Sequence, residues 1–121
     1  MPFRNVLVVD DQQEQRDLLV GLLKEERGVM ALSCASAVTA LELLKRNLQI
    51  DLVLSDYAMP GMDGLEFSSE VRRVRPGIRV VLVTGRDDVI DHIAAGGEMA
   101  LLKPFSVDAL RGVLREHLQI P

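Results

Sequence analysis

The chain has no tryptophan, one tyrosine and three phenylalanines, and aromatic residues make up 3% of its 121 positions. A base-stacking platform for nucleic acid needs more rings than that. Basic runs are also missing, and the net charge is −4, which excludes a surface built to neutralise phosphates. A single cysteine, Cys34, rules out an intramolecular disulfide and fits a reducing compartment. It lies in the apolar stretch Val29–Ala35 with no basic neighbour, and reads as a small buried hydrophobe rather than a redox thiol. No apolar run approaches the ~20 residues that span a bilayer. Strand-like sequence begins by Val6, leaving no room for a signal peptide, so the expected location is cytoplasmic, alone or as part of something larger. Neither a G-x-G-x-x-G nor a Walker motif offers a nucleotide site.

What the chain does have is aliphatic material. Apolar residues form 48% of it, and the length suits one core, so residues 1–121 are expected to form one domain. Short apolar runs alternate with helix-period segments throughout. Strands are expected at Val6–Val9, Val29–Cys34, Leu52–Leu54, Val80–Val83 and Ala100–Leu102. Between the first two runs, a helix pattern from about Gln12 to Glu26 carries Leu18, Leu19, Leu22 and Leu23 as one stripe, and Gly28 ends it. Ser36 is a suitable N-cap for a second helix to about Arg46, with Ala37, Ala40, Leu41 and Leu44 inward. A third helix from about Leu65 to Val74 turns Phe67, Val71 and Val74 to one face before Pro76–Gly77 stops it. The fourth is short, around Val89–Ala95, ending at Gly96–Gly97. Ser106 caps the last, with Val107, Leu110, Val113, Leu114 and Leu118 at core spacing.

Strands that are continuously apolar, rather than alternating, are expected where helices cover both faces of a sheet. Alternating β and α elements imply a parallel α/β sheet with right-handed crossovers, although this pattern leaves the strand order open.

The polar residues of interest all fall at the carboxyl ends of these strands, the edge where open α/β sheets bind ligands. Asp10 and Asp11 follow the first strand, Asp56 the third and Lys103 the fifth, while Thr84 ends the fourth. Each has a plainer reading by itself: a helix cap for either aspartate of the pair or for Thr84, a turn residue for Asp56, a solvated amine for Lys103. One site would account for all five together. Three carboxylates against one lysine leave a formal deficit of two charges, which a divalent cation would balance. Oxygen donors without His or Cys point to Mg²⁺. A cation, an ammonium and a hydroxyl around a carboxylate suit phosphoryl transfer, with the carboxylate as nucleophile and an aspartyl phosphate as product.

The ordered series VLVVDD, DLVLSDYAMPGMDG, VVLVTG and LLKPF resembles the receiver domain of two-component response regulators, over essentially the whole chain. The resemblance implies a flavodoxin-like fold, a five-stranded parallel sheet of order 2-1-3-4-5 with five helices. It implies that Asp56 is the phosphoacceptor, supplied by the phosphohistidine of a sensor histidine kinase or a histidine phosphotransfer protein. Asp11 would bind Mg²⁺ directly and Asp10 largely through water, with Asp56 and the backbone carbonyl of Ala58 as further oxygens. Thr84 would hydrogen-bond a phosphoryl oxygen and Lys103 would pair with the phosphoryl group. A cis Lys103–Pro104 bond is implied, and Met59, Pro60, Gly61 and Gly64 look like the turn that follows the acceptor strand. Such a domain regulates through a conformational change and has no turnover substrate. His92 and His117 match no site of the family and are expected on helix surfaces.

Two features depart from the family. Ala100 stands where many members carry an aromatic switch residue, and the stretch from Thr84 to Lys103 is shorter than usual by nearly one helical turn, ~3–4 residues. Both affect the usual output surface around a shortened fourth helix, and they favour relaying phosphoryl groups or contacting a kinase over driving a DNA-binding domain. A downstream effector, or a fused output or kinase domain, would complete the pathway. Competing readings fit less well. A haloacid-dehalogenase-type phosphatase would need an acid where Gln12 stands, and a flavodoxin's phosphate loop would be repelled by Asp10 and Asp11. The alternative that keeps the fold is a receiver-like docking module that is never phosphorylated.

Overall fold

The computed structural model describes residues 3–46 and 49–118, so the ends of the 1–121 span lie outside the described residues. Its order is β1 (Arg4–Val9), α1 (Gln13–Lys24), β2 (Val29–Cys34), α2 (Ala37–Lys45), β3 (Leu52–Asp56), α3 (Gly64–Val74) and β4 (Arg79–Thr84). A single 3₁₀ turn, Asp87–Val89, then leads into α4 (Ile90–Ala95), followed by β5 (Met99–Leu102) and α5 (Val107–Leu118). The five strands are parallel and ordered β2-β1-β3-β4-β5, the flavodoxin-like arrangement that the resemblance implied.

Two apolar layers sandwich this sheet because strand side chains alternate faces. Val6 and Val8 of β1, with Leu52 and Leu54 of β3, pack under Leu19 and Leu23 of α1 and Leu110 and Leu114 of α5. Leu7, Val9, Val53 and Leu82 pack on the opposite face under α2, α3 and α4, around the fully buried Phe67, Val71 and Ile93. Removing a buried side chain such as Phe67 from a core of this kind costs about 3–5 kcal/mol.

Helix starts follow local capping. Ser36 Oγ accepts from Thr39 N at 3.1 Å and Ser106 Oγ from Ala109 N at 3.0 Å, as the sequence suggested. Asp63, which the pattern did not single out, caps α3 through Glu66 N at 2.9 Å. The 12-residue α1 has Gln12 at its N-cap position without a side-chain cap, so neither Asp10 nor Asp11 serves as one.

Four sequence expectations need correction. Leu19 and Leu23 are buried, but Leu18 is 66% exposed and Leu22 half-buried, so the four leucines of α1 do not form one inward stripe. Successive residues are rotated by about 100° on a helix, and only one of each Leu-Leu pair can face the sheet squarely. Val107 is likewise 43% exposed at the start of α5. On β2, Met30 and Leu32 are exposed because this edge strand has a neighbour on one side only and α2 does not cover its outer margin. His117, expected at the surface, is half-buried, with Nε2 3.0 Å from Met99 Sδ; His92 is exposed on α4.

Candidate functional site

Register brings the acidic residues together. The last pairing between β1 and β3 is Val9 with Ser55, so the next residues, Asp10 just past β1 and Asp56 at the end of β3, stand side by side. The alternation of faces does the rest. Asp10 is in phase with Val8, Asp56 with Leu54, and Lys103 with Leu101, all on the side covered by α1 and α5. These residues line one cleft of ≈ 410 Å³, whose apolar wall includes Leu18, Leu22 and Phe105. Thr84 is in phase with Leu82 and falls on the other side of the sheet.

Asp10, Asp11 and Asp56 each offer a carboxylate oxygen within 4.8 Å of the others. Asp10 is buried, Asp56 half-buried and Asp11 exposed. One Asp10 oxygen, Oδ1, accepts from Gln12 N at 2.9 Å, and the Asp10 carbonyl accepts from Arg16 Nη1 at 2.8 Å, so α1 holds the first acid at both ends. Lys103 Nζ lies 3.6 Å from Asp56 Oδ1. Burial pushes the Asp56 carboxyl above its ordinary value of 3.8; Lys103 opposes this, and the Asp10 and Asp11 charges add to it. The residues present therefore fit a hard divalent cation: three oxygen donors of one charge, no soft ligand, and a single ammonium that leaves their repulsion uncompensated.

The remaining sequence-predicted residues, Thr84 and Ala58, lie at or just beyond the carboxyl ends of β4 and β3. Thr84 Oγ1 accepts from Arg86 N at 3.1 Å, and its carbonyl accepts from Lys103 N at 2.7 Å, which ties the ends of β4 and β5 together. Its hydroxyl proton remains a donor, but no carboxylate of the cluster is its partner. Ala58 is exposed in the loop two residues past Asp56. That loop explains two glycines: Gly61 has φ +84°, and a Cβ on Gly64 would come within 2.9 Å of Leu82 Cδ2 and 3.0 Å of Tyr57 Cα. The Lys103–Pro104 bond is cis.

Reasoning on the sequence missed Gln12, Gln15 and Arg16. Gln15 Oε1 accepts from Lys103 Nζ at 2.6 Å, and Gln15 Nε2 donates to Gln12 Oε1 at 2.7 Å. A signal was present: Gln15 occupies the head of the i, i+3, i+4, i+7 stripe continued by Leu18, Leu19 and Leu22, a polar side chain where the pattern otherwise calls for an apolar one.

A doubly wound α/β domain with an acidic cluster at the topological switch point defines a class, the flavodoxin-like regulatory domains that carry a phosphoacceptor-type site. Within that class a family model describing the response regulator receiver domain matches residues 6–115, and the chain belongs to this family. It is a regulatory module rather than a turnover enzyme, of a family whose members receive phosphoryl groups from histidine kinases or phosphotransferases. The chain is 32% identical over 119 residues to sporulation initiation phosphotransferase F of Bacillus subtilis, covering 95% of this chain and 94% of that protein. Other curated relatives are longer, and the chain spans between 12% and 43% of their length. Among solved structures, the signal receiver domain of an HD domain-containing protein from Pseudomonas fluorescens Pf-5 superimposes with TM-score 0.86 at 28% identity, covering 98% of this chain and 89% of that one. The receiver domain of a sensor histidine kinase from Pseudomonas aeruginosa PAO1 shares the fold, with TM-score 0.84 at 20% identity and coverage of 98% and 99%. That protein was crystallised with a magnesium ion coordinated in its active-site cleft.

Proposed function

We propose that Asp56 accepts a phosphoryl group from the phosphohistidine of a sensor histidine kinase or histidine phosphotransfer protein, in a Mg²⁺-dependent reaction. The observation that carries this is the meeting of Asp10, Asp11 and Asp56 within 4.8 Å, with Lys103 Nζ at 3.6 Å from the acceptor. In the step, an Asp56 carboxylate oxygen forms a bond to phosphorus as the phosphorus–nitrogen bond to the donor imidazole breaks. The imidazole leaves with the electron pair of that bond. Asp11, Asp56 and the Ala58 carbonyl, with Asp10 largely through water, would hold Mg²⁺, which when bound would neutralise charge at the phosphoryl oxygens. Lys103 pairs with one phosphoryl oxygen and the Thr84 hydroxyl donates to another. Burial and the Asp10 and Asp11 charges raise the Asp56 pKa, which makes its ionised carboxylate a more basic nucleophile.

Output departs from the family's usual route, because Ala100 offers no ring to reorient and α4 has six residues. Both features favour a role in relaying phosphoryl groups or in contact with a kinase, with a downstream effector or a fused output or kinase domain receiving the conformational change. No helix among the described residues is long and apolar enough to cross a membrane, which is compatible with the cytoplasmic location where such donors act.

Intact-protein mass after incubation with acetyl phosphate and Mg²⁺ tests the reading. Wild type should gain one phosphoryl group; Asp56→Asn, or wild type with chelator, should gain none. If wild type gains none and also fails to bind beryllofluoride, the chain is a phosphorylation-independent docking module instead.

A further inference from the structure

We infer that Gln15 is a positioning residue for Lys103, holding its ammonium at the long end of ion-pair distance from the acceptor. The inference rests on the proposed role of Asp56 and Mg²⁺, and concerns this chain's own contacts at that site. Among the described residues, Lys103 Nζ hydrogen-bonds Gln15 Oε1 at 2.6 Å and pairs with Asp56 Oδ1 at 3.6 Å. A charge-assisted bond to a carboxylate would normally close to about 2.7–2.9 Å. Here the neutral amide takes the short bond and the carboxylate takes the long one.

The orientation of the Gln15 amide is determined by its partners. An ammonium can only donate, so the amide oxygen must face Lys103. The amide nitrogen then points the other way and finds Gln12 Oε1 at 2.7 Å. Gln12 in turn gives its backbone N–H to Asp10 Oδ1 at 2.9 Å. A continuous chain of contacts thus runs from Asp10 through Gln12 and Gln15 to Lys103 and across to Asp56. It starts at the metal-binding rim and returns to it.

The consequence is a division of labour on Asp56. Its carboxylate remains available to a cation and to phosphorus, while Lys103 waits within one small movement of the phosphoryl oxygens. Without the Gln15 oxygen, Asp56 is the acceptor that remains to the ammonium among the described residues. Shortening that ion pair from 3.6 Å would set Lys103 in closer competition with Mg²⁺ for the same carboxylate. Gln15 is exposed, so its hydrogen bond has the modest net worth of an ordinary one.

Calorimetric titration with MgCl₂ of wild type, Gln15→Met, Lys103→Met and the double variant tests this. Gln15→Met should bind Mg²⁺ about fivefold more weakly than wild type, the size expected for one exposed hydrogen bond. The double variant should match Lys103→Met, because without the lysine there is nothing for Gln15 to hold. Equal affinity in wild type and Gln15→Met would overturn the inference while leaving the phosphoacceptor reading intact. A fivefold loss that persists in the Lys103→Met background would overturn it too, since Gln15 would then act on the metal by another route. Failure of wild type to bind Mg²⁺ at all would remove both.

Discussion

The carboxyl rim of the sheet and the margin of the sheet beside β5 both gather charge, and they treat it in opposite ways. At the margin, the α4–β5 connection turns the Glu98 side chain inward until it is 6% exposed, and Arg72 of α3 pairs with it. Arg79 and His117 line the same ≈ 690 Å³ cavity, and burial holds the His117 imidazole below its ordinary value of 6.5. The pair is one positive and one negative group. At the rim, three carboxylates, Asp10, Asp11 and Asp56, stand with Lys103 at 3.6 Å from Asp56, while Arg16 reaches the Asp10 carbonyl rather than a carboxylate. A half-exposed arginine thus matches the one carboxylate that the margin takes inside the fold, which is what makes a buried charge tolerable. An unbalanced cluster is tolerated only where a ligand completes it, and it marks the place where the molecule binds and reacts.

Substitutions that unbalance the margin or balance the rim should have opposite signs. The largest effect is expected from Arg72→Met, which leaves Glu98 buried without its partner. A loss of about 2 kcal/mol, or ~8 °C in Tm for a domain of this size, should appear in thermal unfolding. Replacing both residues with methionine should restore most of it.

Next in size is the response of the rim to its missing charge. If Mg²⁺ binds with a Kd of about 1 mM, 10 mM of it stabilises the fold by about 1.4 kcal/mol through linkage, or ~5 °C. Chelation should reverse the shift, and Asp11→Asn should reduce it. The margin variants should respond to Mg²⁺ as wild type does, since their charge is already matched.

The smallest effect is expected from Asp56→Asn in metal-free protein, a rise of about 3 °C at neutral pH. The sign follows from the raised Asp56 pKa, whose first cause is burial. The folded chain keeps its proton at a pH where the unfolded chain has released it. Ionised Asp56 therefore costs stability, and that cost grows as pH rises from the ordinary value of 3.8 through the raised one. The advantage of the asparagine variant should shrink as pH is lowered through that window. An asparagine variant less stable than wild type at neutral pH would mean that the Lys103 attraction outweighs burial and like-charge repulsion.

Much of this could be read from the chain. Continuous Val/Leu runs at Val6–Val9 and Val80–Val83 spelled parallel strands, because a strand covered on both faces has no polar side to alternate. Ser36 and Ser106 marked helix starts through a local hydrogen bond that needs no tertiary partner. The five rim residues were legible because each ends or follows a strand, and a strand end is a position in sequence before it is a position in space. The leucines of α1 were less so. Leu18 belongs to the same pattern as Leu19, Leu22 and Leu23, yet it is exposed along the cleft beside Asp56, while Leu22 lines that cleft and also packs against the core.

By itself, then, the sequence determined the class of fold, the parallel sheet, the receiver family and the residues that gather at the rim, since these follow from local periodicity and ordered motifs. Tertiary structure alone decided which side of the sheet each rim residue faces, how far Lys103 stands from Asp56, and that Gln15 holds it there. It also decided that Glu98 is buried against Arg72. Residues 88 positions apart, such as Gln15 and Lys103, carry no mark of one another in sequence. Their distance depends on how α1 packs against the ends of β1, β3 and β5, and that packing is set by the whole core at once.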